Sequence, residues 1–426
     1  MKTEPDPLNH PLGGSSPQTS GGKGAASGER LGFLGAQYHW VIVVLGLFNV
    51  LGSIGFARFG YPLILPPMKE NLALTHTQMG LLGSGNFVGY LIASLLGGYW
   101  ASKYGSRRVI LLSFILVAGC MILTGLSRGF LFALSMRFLT GLGSGGAYIP
   151  MIGLCMGWFP PKQRGMASGL MISGSGFGLI LTGWIIPAVM TSYGREVGWR
   201  YCWMILGLFI FLFWAFSLFL LREAPQEKTS SAPSSPPWSM VYRNPVLWHL
   251  ALIYFTSGFS LSMYMTFFGA HTARAGHLPP GTIGRIWSLM GFLSVFSGLV
   301  WGWASDRWGR RYALLMVFAL HGISFSIFAG AKQAWAFYLS ACILGTAAWA
   351  IATILSATAA DYVGPQLAPA AIGFITLVFG IGQVISPFVA GQIADRFGSF
   401  SAAYVLAASV TFIGWLRCLS LRPKSA

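Results

Sequence analysis

The stretch Gly302-Trp-Ala-Ser-Asp306-Arg307-Trp-Gly309-Arg310-Arg311 is a short, charged, glycine-containing turn between two long apolar runs. A near copy stands 204 residues earlier, Gly98-Tyr-Trp-Ala-Ser102-Lys103-Tyr-Gly105-Ser-Arg107-Arg108. The same offset pairs the segment beginning at Phe159 with the one beginning at Val363, and Gly169 with Gly373. A fixed offset over this distance marks an internal repeat, so the chain consists of two homologous halves.

The solvent of these halves can be inferred from composition. Of 426 residues, 54% are hydrophobic and 9% are charged, whereas soluble domains carry about a quarter charged residues. So few charges cannot cover a globular surface, and lipid becomes the main solvent. The net charge of +17 is spread in short runs between apolar segments. It forms no single patch or arm, so no nucleic-acid partner is expected. The five cysteines, Cys120, Cys155, Cys202, Cys342 and Cys418, sit inside apolar runs without metal-ligand spacing. No nucleotide-binding loop, catalytic triad or metal cluster is present in the pattern, so neither an enzyme nor a cofactor is expected.

Apolar runs long enough to cross a bilayer fall at about 38–66, 76–102, 108–126, 129–157, 163–192, 199–221, 245–272, 282–305, 310–331, 334–362, 367–394 and 400–420. The expected fold is therefore an all-α membrane protein. Twelve transmembrane helices form two pseudo-symmetric six-helix bundles, at 38–221 and 245–420. Residues 1–37, rich in Gly, Ser and Pro, read as a disordered cytoplasmic tail. Residues 222–244 read as a cytoplasmic linker, and 421–426 as a second short tail. Thr75-His-Thr-Gln78 is a capping box opening the second helix. With the N-terminus inside, 17 of the 27 Lys and Arg fall on the inner side and 8 on the outer side, which supports cytoplasmic termini.

Gly-x-x-x-Asp-Arg-x-Gly-Arg-Arg at 302–311 resembles the loop signature of the major facilitator superfamily, and 98–108 is a weaker copy. Arg137-Phe-Leu-Thr-Gly141-Leu-Gly143 resembles that superfamily's fourth-helix motif. Gly55-Phe-Ala-Arg58-Phe-Gly-Tyr-Pro62 with Asn86-Phe-Val-Gly-Tyr90 is similar to its YbfB-like branch. Gly198-Trp199-Arg200 and Ala394-Asp395-Arg396-Phe-Gly398-Ser399 look like the oxalate/formate and monocarboxylate branch. The resemblance covers residues 38–420 and implies alternating access about a midplane site. It also implies a cytoplasmic gate built from Gly98, Lys103, Arg107, Arg108, Gly302, Asp306, Arg307, Arg310 and Arg311. In that gate a carboxylate caps a neighbouring helix and lets go when the halves part. Ser102 stands where the family usually has Asp, which weakens the first-half copy.

All ten acids (Glu4, Asp6, Glu29, Glu70, Glu196, Glu223, Glu227, Asp306, Asp361 and Asp395) lie in tails, loops or helix ends. Two cations, Arg58 and Arg137, lie within spans, and an ionisable group at that depth is a functional candidate. Positive charge without a protein counter-ion attracts an anion, and a guanidinium fork suits carboxylate or sulfonate. Asn49 and Ser53 on the first helix, Asn86 and Tyr90 on the second and Tyr148 on the fourth are expected to line the same cavity. So are Tyr254, Ser257 and Tyr264 on the seventh helix and Gln383 on the eleventh. In an unbroken α-helix Arg58 and Asn49 lie about 180° apart and could not share a face. Trp349 reads more readily as core than as a substrate platform.

The expected function is a secondary transporter that moves a small organic anion, a carboxylate above all, across the inner membrane by proton symport or anion exchange. It is expected to act as a monomer. Two readings stand beside it: an exporter of amphipathic or aromatic compounds, suggested by the 15% aromatic content, and a non-transporting membrane receptor or scaffold.

Overall fold

The computed structural model describes residues 25–160, 163–224, 239–364 and 366–421, with side chains from Tyr38 onward. These residues are helical throughout, with no strand among them. Helical backbone begins at Ala25, inside the stretch that the sequence reads as a tail. Most of the 222–244 linker and residues 422–426 lie outside the described residues.

Four helices lead the chain: α1 (Tyr38–Asn71), α2 (His76–Tyr104), α3 (Ser106–Gly125) and α4 (Phe130–Gly157). The next helical run, Arg164–Leu220, has 57 residues. At 1.5 Å per residue that is about 85 Å, far more than one ~30 Å hydrocarbon core. It divides at Gly194, whose backbone is non-helical (φ 75°, ψ 165°), into α5 (164–193) and α6 (195–220). The second half comprises α7 (Pro245–Ala275), α8 (Pro280–Trp308), α9 (Arg310–Gly330), α10 (Ala334–Val363), α11 (Ala368–Phe397) and α12 (Ser401–Leu419). Twelve spans result, as the hydropathy pattern predicts.

The repeat is written into the backbone. Ala73 and His277, the two non-glycine residues at positive φ among the described residues, both stand at φ 50° and are related by the 204-residue offset. Gly105 and Gly309, related by the same offset, have φ 89° and 92°. Both open a helix after the charged turn, where an L side chain would be strained. Large apolar side chains face outward all round the molecule, Leu112, Leu131, Phe219 and Leu299 among them. A surface of this kind is stable only against lipid.

The two halves meet along α2 with α11, α5 with α8, and the second part of α1 with α7. Tight packing gathers toward the end that carries the α1–α2 and α7–α8 turns. A Cβ on Gly391 would collide with the backbone of His76, one on Gly284 with that of Gly183, and one on Gly269 with that of Pro62. Ser84 Oγ donates to Val384 O (2.6 Å), Ser288 Oγ to Ile180 O (2.9 Å) and Trp287 Nε1 to Thr182 Oγ1 (3.2 Å). At the opposite end Gly169 and Gly373 are exposed, with no atom near enough for a Cβ to meet.

Candidate functional site

Between the halves lies a narrow cavity. Arg58, Phe59, Tyr61 and Pro62 of α1, Asn86 and Phe87 of α2 and Arg137 of α4 line it from the first half. Ser262, Met265 and Thr266 of α7, Trp349 of α10 and Gln383 of α11 line it from the second.

Arg58 reaches it from an α1 that is not a plain α-helix. Leu51–Phe56 form a π-helical segment, and each residue inserted by such a widened turn rotates the rest of the helix by about 100°. Arg58 lines the cavity and Asn49 does not, so the two residues do not share that face. The Arg58 guanidinium lies between the rings of Phe87 and Tyr90, with its carbon 4.7 and 4.4 Å from their centroids. Its Nε and Nη2 are buried without a hydrogen-bond partner.

Arg137 is 1% exposed. Its Nη1 donates to Ala57 O at 2.7 Å, tying α4 to α1 just before Arg58. The guanidinium lies over Tyr61 (4.7 Å) and Trp203 (5.1 Å), and its Nε has no partner. Asn86 Nδ2 donates to the Arg137 carbonyl at 3.0 Å, so it braces α4 as well as lining the cavity. No Asp or Glu is among the lining residues. The four ion pairs among the described residues, His76–Asp395, Arg195–Glu70, Arg310–Asp306 and Arg310–Asp361, sit at helix ends.

Other expected lining residues are placed differently. Asn49 and Ser53 are buried on α1 outside the cavity wall. Ser53 Oγ donates to Asn49 O (2.6 Å), while both amide atoms of Asn49 are unpartnered. Tyr90 and Tyr148 lie 6.4 Å apart, centroid to centroid, behind Arg58. Tyr254 is stacked on Phe379, and Ser257 is buried beside it. Tyr264 must be corrected: it points into the second bundle, bonded to Ser340 Oγ (3.0 Å) and packed on Phe325, Phe328 and Tyr404. On α7 the cavity face is instead Ser262, Met265 and Thr266. Ser and Thr stand on every side of this helix, so spacing alone selects no face. Nor does the sequence single out Phe59, Phe87 and Trp349 as lining residues, because aromatic residues are frequent in every span.

The expected cytoplasmic gate residues pair within their own halves in this conformation. Arg310 bonds Asp306, Asp361 Oδ2 (3.0 Å) and Ser305 Oγ (2.7 Å), all in the second half. Arg107 donates to Leu218 O and Leu221 O at 2.6 Å each, and its backbone N–H to Glu223 Oε1 at 2.8 Å. Lys103 lies near the Tyr99 and Tyr104 rings, and Arg307 near Trp303. Arg108 is exposed, Arg311 is half-buried, and neither Gly98 nor Gly302 is pressed closely. Among the described residues Asp306 thus caps no helix of the other half.

The carboxylate that does bridge the halves is Asp395. Its Oδ1 accepts from His76 N (2.9 Å) and faces His76 Nδ1 (2.8 Å); its Oδ2 accepts from Thr77 N (2.8 Å) and Thr77 Oγ1 (2.6 Å). Thr75 takes the next N–H, that of Gln78, and Gln78 returns the bond, completing the expected capping box. The first turn of α2 is thereby satisfied by its own cap and by the other half. Arg274 Nη1 reaches His76 Nε2 at 3.2 Å. The offset of 204 puts Thr191 opposite Asp395 and Pro280 opposite His76. The α5–α8 seam therefore has no such carboxylate, and its helix opens on a residue without an N–H.

A membrane-embedded pair of six-helix bundles around a central cavity, joined at one end and parted at the other, has the form of a major facilitator transporter. A family model described as "Uncharacterised MFS-type transporter YbfB" matches residues 50–419, and the chain belongs to that family. Over 409 residues it is 24% identical to the probable sulfoacetate transporter SauU of Cupriavidus necator, covering 89% of this chain and 94% of that one. It is 26% identical over 421 residues to a hexuronate transporter of Bacillus subtilis, covering 90% and 96%. Among solved structures it is similar to a bacterial homolog of the human lysosomal transporter Spinster in an inward-facing, unoccupied conformation. That match has a TM-score of 0.71 and 18% identity, and covers 92% of this chain and 99% of the other. The chain is thus a multi-pass membrane transporter of this fold and not an enzyme.

Proposed function

We propose that this protein carries a small organic anion, a carboxylate or sulfonate, across the bacterial inner membrane by alternating access, coupled to proton symport or anion exchange. One observation carries the reading. Two guanidinium groups meet at a cavity between the halves, three of their nitrogens lack hydrogen-bond partners, and no carboxylate lines the wall. Arginine keeps its proton in any protein setting. A buried, unpaired charge costs several kcal/mol and is retained where a ligand supplies the missing partner. An anion would accept from Arg58 Nε and Nη2 and from Arg137 Nε, while Phe87 and Tyr90 hold the Arg58 plane in place. The names of the two relatives, sulfoacetate and hexuronate transporters, favour the same chemistry.

With both termini cytoplasmic, the joined end faces outward and the parted end inward. This conformation is then the inward-facing one. Asp395 of α11, bonded to the first turn of α2, is its outer latch, and the separated charged turns at 98–108 and 302–311 are its released inner gate. The protein is read as a monomer in this scheme.

The test is uptake into proteoliposomes of sulfoacetate, oxalate, glucuronate and choline, with and without a pH gradient, for wild type, Arg58→Gln and Arg137→Gln. Anion uptake lost in both variants is expected. A gradient requirement would identify symport, and a requirement for internal anion would identify exchange. Choline uptake, or anion uptake untouched by both substitutions, overturns the assignment in favour of an exporter of amphipathic compounds. Binding without flux would indicate a receptor.

A further inference from the structure

Helix α10 is interrupted where it reaches the cavity. Its two parts, Ala334–Ala347 and Ala350–Val363, are separated by Ala348 and Trp349, and Trp349 has φ −106° and ψ 1°. Breaking a helix in lipid frees backbone groups that water cannot satisfy, so such breaks persist only where protein supplies partners. Three side chains do so here. Trp301 Nε1 donates to Thr346 O at 3.0 Å, His321 Nε2 lies 3.1 Å from Ala347 O, and Ser297 Oγ accepts from Trp349 N at 3.2 Å. His321 is 1% exposed, and a carbonyl partner requires its Nε2 to carry the proton. The break is a built feature, held from α8 and α9.

What the break positions is Trp349. Trp349 lines the cavity that Arg58 also lines, and its ring lies 5.8 Å from that of Phe59 on the opposite half. Its Nε1 is buried and has no partner. Trp158, Trp199, Trp203 and Trp214 also carry unpartnered buried indole nitrogens, but none of these lines the cavity. An indole N–H only donates, so the missing partner is an acceptor. The free nitrogens of Arg58 and Arg137, lining the same cavity from the first half, lack acceptors too.

We infer that Trp349 is the second half's specificity-determining residue. Its N–H donates to the bound anion from the side facing the guanidinium groups, and its ring closes on Phe59 to join the halves over the ligand. His321 acts as a positioning residue that holds the break. The inference rests on the anion reading of the cavity. It supplies what that reading lacks, a ligand contact from the second half that would let occupancy be felt by both bundles.

The experiment is proteoliposome uptake of sulfoacetate, oxalate and glucuronate by Trp349→Phe, Trp349→Ala, His321→Gln and His321→Leu, with Arg58→Gln alongside and detergent melting temperatures as a fold check. Phe keeps the ring and removes only the N–H. Loss of one hydrogen bond to a charged acceptor should raise KM about 10-fold with little change in maximal rate. Ala should also lower the maximal rate at least 10-fold, because the contact with Phe59 is gone. His321→Leu should reduce the maximal rate, and His321→Gln, which keeps a donor, should restore most of it. Wild-type KM in Trp349→Phe for all three anions, with Arg58→Gln inactive, would overturn the inference and leave the anion reading standing. Full activity in Arg58→Gln, or uptake of none of the three, would sink both.

Discussion

Replacing Asp395 by asparagine should release the outer end of the molecule and shift it toward the outward-facing state. The carboxylate accepts the backbone N–H groups of His76 and Thr77 and the Thr77 hydroxyl, and lies 2.8 Å from His76 Nδ1. Asparagine keeps one acceptor oxygen and turns the other into a donor, so the bonds made by one oxygen are lost. The attraction of a full negative charge to the N-terminal end of α2 is lost with them. Hydrogen bonds to a charged group contribute about 1.5–3 kcal/mol each when sheltered and less when water competes. Because the Asp395 side chain is 34% exposed, the low end applies, and the total is about 2 kcal/mol. At 1.4 kcal/mol per factor of ten, the inward-to-outward ratio should fall about 30-fold. Spin labels at Ser192 and Lys332, exposed residues on opposite halves of that end, would read the change by double electron–electron resonance in a Cys342→Ser background. A longer-distance population appearing in Asp395→Asn is the expected result. An unchanged distance distribution would refute the assignment of Asp395 as the latch.

The same geometry predicts three further outcomes. Arg58→Gln should lower anion affinity at least 100-fold with a smaller loss of thermal stability than Arg137→Gln, because Nε and Nη2 have no hydrogen bond to lose and only the ring contacts with Phe87 and Tyr90 go; titration calorimetry and a melting curve separate the two effects. Arg137→Gln should lower both, since it also removes the bond to Ala57 O and the contacts with Tyr61 and Trp203. Gly284→Val should trap the carrier with its outer end open, because the added side chain would strike Gly183 and Pro187, and accessibility of Ser288→Cys to an impermeant thiol reagent would report it.

The sequence pattern carries the architecture because the signals for it are strong. A 204-residue repeat, long apolar runs and a charged turn written twice leave little freedom. The charge asymmetry at Arg58 and Arg137 is legible for the same reason: a guanidinium at membrane depth stands out against apolar neighbours. Helix phase is not. A span packed on several sides by other helices shows weak periodicity, so Ser257 and Tyr264 cannot be told from Ser262 and Thr266. The π segment at Leu51–Phe56 and the interruption at Trp349 have no local code comparable to proline, and the interruption is held by tertiary partners, His321 and Ser297. By sequence the charged turns read as the bridge between halves, and Asp395 stands out only as part of a motif. Which gate is closed depends on the conformation, and residue identity does not encode that.

The most direct measurement is equilibrium binding of sulfoacetate, oxalate and glucuronate to the purified carrier in detergent, with choline as the cationic comparison and Arg58→Gln as the variant. Saturable binding of at least one anion, no binding of choline and loss of the anion signal in Arg58→Gln is the result predicted. Choline binding at the same site, or anion binding that survives the loss of Arg58, would contradict it.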